Sequence, residues 1–147
     1  MLTQAENALL QLLRGSPLAS RLRVIDTLPE LAPDKLVQRL ALDAPAIYVD
    51  PAPFAIGDRA GELRLEVLLL ARNARSPGVA RSGDGIVIGL FQLVDAALSL
   101  IDGAVQGGYG WRCVSVAFER DAAFFAAGFL PASILVTTRA ELDPPID

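Results

Sequence analysis

Between Gly85 and Asp102 the chain reads GIVIGLFQLVDAALSLID, and its only strongly polar side chains, Gln92, Asp95, Ser99 and Asp102, recur at i, i+3, i+7 and i+10. On a helix of 3.6 residues per turn they form one narrow stripe and leave every other direction apolar. The spacing predicts a helix over 85–102 that must be covered on nearly all sides: a sheet on one flank, and a further element or another copy of the chain on the other. The face around Leu90, Phe91, Val94 and Leu98 is expected in the core. A first amphipathic helix is predicted over 1–14, where Leu2, Ala5, Leu9, Leu12 and Leu13 oppose Gln4, Glu6, Asn7, Gln11 and Arg14 until Gly15, Ser16 and Pro17 stop the run.

The remaining patterns have the period of strands. RLRVID (21–26) alternates and ends at Thr27, Leu28 and Pro29; PDKLVQRL from Pro33 reads as a short helical turn with proline at its first position. PAIYVDP (45–51) is compact and β-rich. In ELRLEVLLLARN (62–73), Leu63, Leu65, Val67 and Leu69 share one face, while Glu62, Arg64 and Glu66 hold the other until Leu68 and Leu70 turn it apolar. That strand starts with one wet face, ends buried on both, and is expected to pair antiparallel with 45–51. GAVQGGYG reads as a flexible turn, and WRCVSVAFER as a strand setting Arg112, Val114, Val116 and Phe118 against Trp111, Cys113, Ser115 and Ala117. GFLPASILVTTRAEL is a last strand in which Pro131 marks an edge position or a bulge. The expectation is one α+β domain over 1–147: a mixed, mostly antiparallel sheet of four to five strands, two main helices packed against it, and a frayed tail over 143–147.

Composition narrows the chemistry. The 147 residues are 52% hydrophobic, enough for one sizeable core, and the net charge of -4 gives no global field toward nucleic acid. Histidine is absent and Cys113 is the one cysteine, so imidazole catalysis and a cysteine-rich zinc site within one chain are excluded; Cys113 reads as a structural thiol. The N-terminus lacks the basic start and unbroken apolar stretch of a signal peptide, and no run reaches the roughly 20 apolar residues of a membrane span. A soluble protein made in the cytoplasm, with no membrane contact, is expected.

Gly83, Gly85 and Gly89 in SGDGIVIG imitate a phosphate loop, but the spacing is GxGxxxG, no Lys-Ser/Thr follows, and Asp84 opposes a phosphate. The pairs Glu119/Asp121 and Asp143/Asp147 lack a partner base and read as solvated charges. No catalytic, metal or cofactor residues are predicted, and no enzyme. The Gly/Ser/Pro-rich loop 72–85 carries Arg72, Arg75 and Arg81, which read either as a solvated loop or as contacts for carboxylates on a neighbouring subunit, ahead of DNA phosphates.

Taken in order, MLTQAENALLQLLR, RVIDTLPE, ELRLEVLLLARNARS and the GxxxGLFQLVDAAL helix resemble the small tail-terminator or tail-completion proteins of Mu-like bacteriophages and prophages, over nearly the whole chain. The resemblance implies a virion protein, assembled in the host bacterial cytoplasm, that forms a ring, of six copies, on the head-proximal end of the tail tube. Its partners would be itself, the tail tube protein, the head-tail connector or stopper and the sheath protein, with DNA passing through without sequence-specific binding. On this reading the axial contacts are the loop with Arg72, Arg75 and Arg81 and the Pro51 to Gly61 connection with Asp58 and Arg59. Glu62 and Glu66, with Asp58, are candidates to face the lumen, where negative charge keeps a duplex from sticking. Two alternatives stand beside it: a neck stopper of the same particle, and a cytoplasmic adaptor that binds by adding a strand to an open sheet edge.

Leu93→Asp puts an unpaired charge into the apolar sector of the predicted helix, a change typically costing several kcal/mol. The variant is expected to give no cooperatively melting protein; a soluble Leu93→Asp chain with a sharp thermal transition would contradict the helix assignment.

Overall fold

The structure, a computed structural model, describes residues 2–50, 62–72, 89–118 and 122–140. Its elements in chain order are α1 (Leu2–Arg14), a 3-10 turn (Pro17–Arg21), β1 (Val24–Thr27), α2 (Pro33–Asp43), β2 (Ala46–Asp50), β3 (Glu62–Arg72), α3 (Leu90–Ile101), β4 (Val105–Gln106), β5 (Tyr109–Phe118), α4 (Ala122–Ala127) and β6 (Phe129–Ala140). Six strands lie in the order β1-β2-β3-β6-β5-β4; β1 and β2 run parallel and every other pair antiparallel. The chain is therefore α+β with helices against a mixed sheet, as expected, but with six strands rather than four to five.

The sixth strand comes from the segment read as a flexible turn. Val105 and Gln106 pair with Gly110 and Tyr109, and the two residues between them, Gly107 and Gly108, have φ of 60° and 84°. A two-residue hairpin needs positive φ at both central positions, which glycine supplies without steric cost. The first strand also differs: Pro17–Arg21 forms a 3-10 turn, and β1 begins at Val24 rather than Arg21. The helical turn at Pro33 exists and runs on to Asp43, with Pro33 at its start and Asp34 in its first turn.

The two faces of the sheet have separate cores. On one, Leu63, Leu65, Val67 and Leu69 of β3 pack with Leu9 and Leu13 of α1 and Leu93 and Ala97 of α3. On the other, Leu40 of α2 packs with Tyr48, Leu70 and Phe129, and Phe124 of α4 lies 5.6 Å from the Phe129 ring. β3 is thus wet on one side at its start and buried on both by Leu69 and Leu70, as its pattern predicts. Tyr48 donates its hydroxyl hydrogen to the Asp43 carboxylate, which also accepts from Arg39 Nε at 3.0 Å, and this fastens the end of α2 to β2. Burial first, and then this bond and the Asp43 charge, push the Tyr48 phenol above its ordinary value.

Helix α1 touches both β1 and β4, the two edge strands of a half-barrel. Its spine of Ala5, Leu9, Leu10 and Leu13 is buried. On one flank Arg14 donates to the Ile25 carbonyl oxygen at 3.0 and 2.8 Å, and the Thr27 hydroxyl donates to Glu6. On the other, Ala8 sits against Gly107, where an added Cβ would come within 3.2 Å of the Ala8 side chain.

Helix α3 departs from the expectation of near-complete cover. Leu90, Leu93, Val94, Ala97 and Ile101 are buried and Leu98 is packed against the core, while Gln92, Asp95 and Ser99 are exposed, but Phe91 is 46% exposed. The sheet covers one side of the helix, and no other described element closes the Phe91 side. Residues 85–88 of the predicted helix and the tail 143–147 lie outside the described residues.

Two changes test the packing. Leu9→Ala, at a fully buried position of α1, is expected to lower stability by about 2–5 kcal/mol, read as a lower denaturation midpoint with unchanged slope. Gly107→Val, forcing a β-branched residue to positive φ against Ala8, is expected to lower the melting temperature more than Gly15→Ala, which lies outside the hairpin.

Candidate functional site

Opposite residues on paired strands share a face, so the register maps the surface that α2 and α4 leave bare. Those helices cover the end of the sheet holding Leu68, Leu70 and Phe129. Toward the other end, Asp50 stands opposite Glu66, Arg64 opposite Thr137, Glu62 opposite Arg139, Arg112 opposite Thr137, and Gly110 opposite Arg139. Three carboxylates and three guanidinium groups therefore share one side of the sheet beyond α2 and α4, the acids toward β2 and β3 and two of the arginines on β5 and β6. Arg64 Nε lies 3.9 Å from Glu62 Oε1, a loose pair of the kind that contributes little at a surface.

Of the residues singled out from sequence, Glu62 and Glu66 belong to this face. Arg72 is on the same side of the sheet but at its far end, exposed and opposite Phe129, away from these charges. Asp58, Arg59, Arg75 and Arg81 lie outside the described residues, as do Gly83 and Gly85 of the glycine-rich loop and Glu119, Asp121, Asp143 and Asp147 of the two carboxylate pairs. Gly89 is the N-cap of α3, its N–H donating to Gln92 Oε1 at 3.0 Å, half of a capping box. Asp50, Arg112 and Arg139 were not among the sequence candidates. Their signal was present as polar positions at the ends of alternating strands, but pairing register decides whether such positions meet.

A second surface is the outer edge of β5. β4 pairs only with Tyr109 and Gly110; next, Trp111 exchanges backbone bonds with Gly103 and Ala104, and the Cys113 N–H donates to Asp102 Oδ1 at 3.0 Å. From Ser115 to Phe118 this edge has no strand partner among the described residues. The sequence alternation fails here because Val114 is an extra residue: the pairing steps from Cys113↔Val136 to Ser115↔Leu135. Such a bulge swaps the faces beyond it. Val116 joins Trp111 and Cys113 against the core, and Phe118 meets Phe91 edge-on, with centroids 5.5 Å apart and planes at 87°. Phe91, Phe118 and Val114 remain 46%, 43% and 57% exposed.

Pro131 lies in the interior strand β6, opposite Leu70 and one residue beyond Phe118↔Ala132, the last described pair with β5. Its missing N–H is tolerated there as at an edge. Among the described residues no three His, Cys, Asp or Glu side chains gather to hold a metal ion, and no helix is long and apolar enough to cross a membrane. The Trp111 indole nitrogen is buried without a hydrogen-bond partner.

The Cys113 thiol is pushed up to about 11, first by burial and then by the Asp102 charge. The proton is thus held more tightly in the folded chain, so this contribution to stability is complete below the ordinary thiol range and is lost as pH climbs toward 11. At pH 8, alkylation of folded protein is expected to run about a hundredfold slower than that of denatured protein, from the thiolate fraction alone; equal rates would contradict the burial of this group. No family model matches the chain, and no curated protein matches it.

Proposed function

We propose that the chain is a structural subunit of a phage tail: a tail terminator whose copies form a ring on the head-proximal end of the tube, stop its growth and join it to the connector. The observation that carries the reading is where the two long connections attach. Residues 51–61 lead into β3 at Glu62 and residues 73–88 leave it at Arg72, so they depart from opposite ends of an 11-residue strand, about 33 Å apart at the usual rise. A terminator needs two different axial surfaces, one for the tube and one for the connector, and a strand aligned with the ring axis supplies both.

The charged sheet face supports the same reading. Glu62 and Glu66 lie on it with Asp50, interleaved with Arg64, Arg112 and Arg139. A lumen wall built this way is mixed in charge rather than purely acidic, and its two neighbouring arginines are too few to give a phosphate backbone a continuous basic track. The ring works by shape and reversible contact, and no reaction is assigned to it.

The open Ser115–Phe118 edge favours a second reading, the adaptor that takes an added strand from a partner. The two differ in mass. The ring reading expects a discrete oligomer several times the mass of one chain, and the labelled subunit at the neck of imaged particles. A single chain at every concentration, absent from particles, would overturn it. Arg75→Glu is expected to leave the subunit folded and to weaken assembly, as measured by sedimentation; unchanged assembly would show that the arginine loop is only solvated.

A further inference from the structure

Arg139 stands opposite Gly110 and Arg112 opposite Thr137, so the two arginines are diagonal neighbours across β5 and β6, about 7–8 Å apart by ordinary sheet geometry. Both are exposed, and neither has a hydrogen-bond or ion-pair partner among the described residues. Between them Gly110 contributes no side chain. A cavity of about 260 Å3 opens there, lined by both arginines, Thr137, Val105 and Glu62. Glu62, the one carboxylate on the lining, is already paired loosely with Arg64. The spot therefore holds an excess of positive charge in a chain whose net charge is -4. Two guanidinium forks side by side are shaped to receive carboxylates.

The sequence contains a segment with that chemistry. Directly after Ala140 come Glu141-Leu-Asp-Pro-Pro-Ile-Asp147, three acids and no base in seven residues. Pro144 and Pro145 bias the segment toward an extended form, giving a reach of about 20 Å at 3.1 Å per residue. β6 delivers it at the Tyr109 end of the sheet, heading away from Arg112; Glu141 is two residues from Arg139, the spacing at which Glu62 and Arg64 pair, whereas Asp143 and Asp147 would reach Arg112 of their own copy only by a reversal. We infer that Glu141–Asp147 of one copy docks its carboxylates on Arg112 and Arg139 of the next, an arm linking neighbours around the ring. This rests on the ring reading above.

The test uses full-length chains and sedimentation at low and high salt. Glu141→Arg with Asp143→Arg, and separately Arg112→Glu with Arg139→Glu, are each expected to lower the association constant about tenfold at low salt, with the melting temperature of the single copy unchanged. Joining all four changes in one chain is expected to restore association, because the charges are then exchanged rather than lost. If the wild-type chain assembles and neither double variant alters association, the arm contact is wrong while the ring stands. Variants that change only the melting temperature would place the contact within one chain and overturn docking between copies. Should the wild-type chain remain single at every concentration, the ring reading itself falls.

Discussion

Every strand at the margin of a sheet leaves backbone donors and acceptors that must end on something. Here one short helix lies against both margins. The buried spine of α1 fills the hollow of the half-barrel, while Arg14 and Glu6 reach the β1 side and Ala8 meets the Gly107 turn beside β4. Arg14 takes up a backbone carbonyl of β1 while the apolar stripe of α1 supplies the core, so edge contact and core formation draw on the same 13 residues. α3 then lies along β5, with Phe91 on Phe118 near one end and Asp102 on the Cys113 N–H near the other. The bare parts of the molecule are what these helices and the α2/α4 pair leave over.

Much of this architecture is written in residue periodicity. β3 shows its one-sided start and two-sided end directly in the order of Leu, Glu and Arg, and its antiparallel pairing with β2 follows from proximity and pattern. β4 was illegible because two residues carry no period; only Gly107-Gly108 marked the hairpin. The bulge at Val114 was hidden for a different reason. In WRCVSVAFER apolar and small residues occupy both alternations, so a slip of one residue leaves the pattern looking intact while moving Phe118 to the other face. The cover of α3 was overestimated because an apolar position such as Phe91 states a preference for burial without saying which neighbour, if any, provides it.

The charged face was half legible. Glu62, Arg64 and Glu66 share a side of β3 by simple alternation, and that side lies beyond the reach of α2 and α4. Asp50, Arg112 and Arg139 join them only through strand order, since β6 inserts between β3 and β5 and sets residues more than 70 positions apart side by side. Sequence spacing has no access to such a juxtaposition. It also divides the charge of the surface, with acids toward β2 and arginines toward β5.

Among the described residues the free margin of β5 is short. Asp102 stops it at Cys113, and the last described pair with β6 is Phe118↔Ala132. A strand laid against so few residues gains only a handful of main-chain bonds, too little to hold two bodies together alone. Contacts that are individually feeble and numerous lock only when all are satisfied together. A partner strand that met this margin alone would therefore come away again unless further contacts held it.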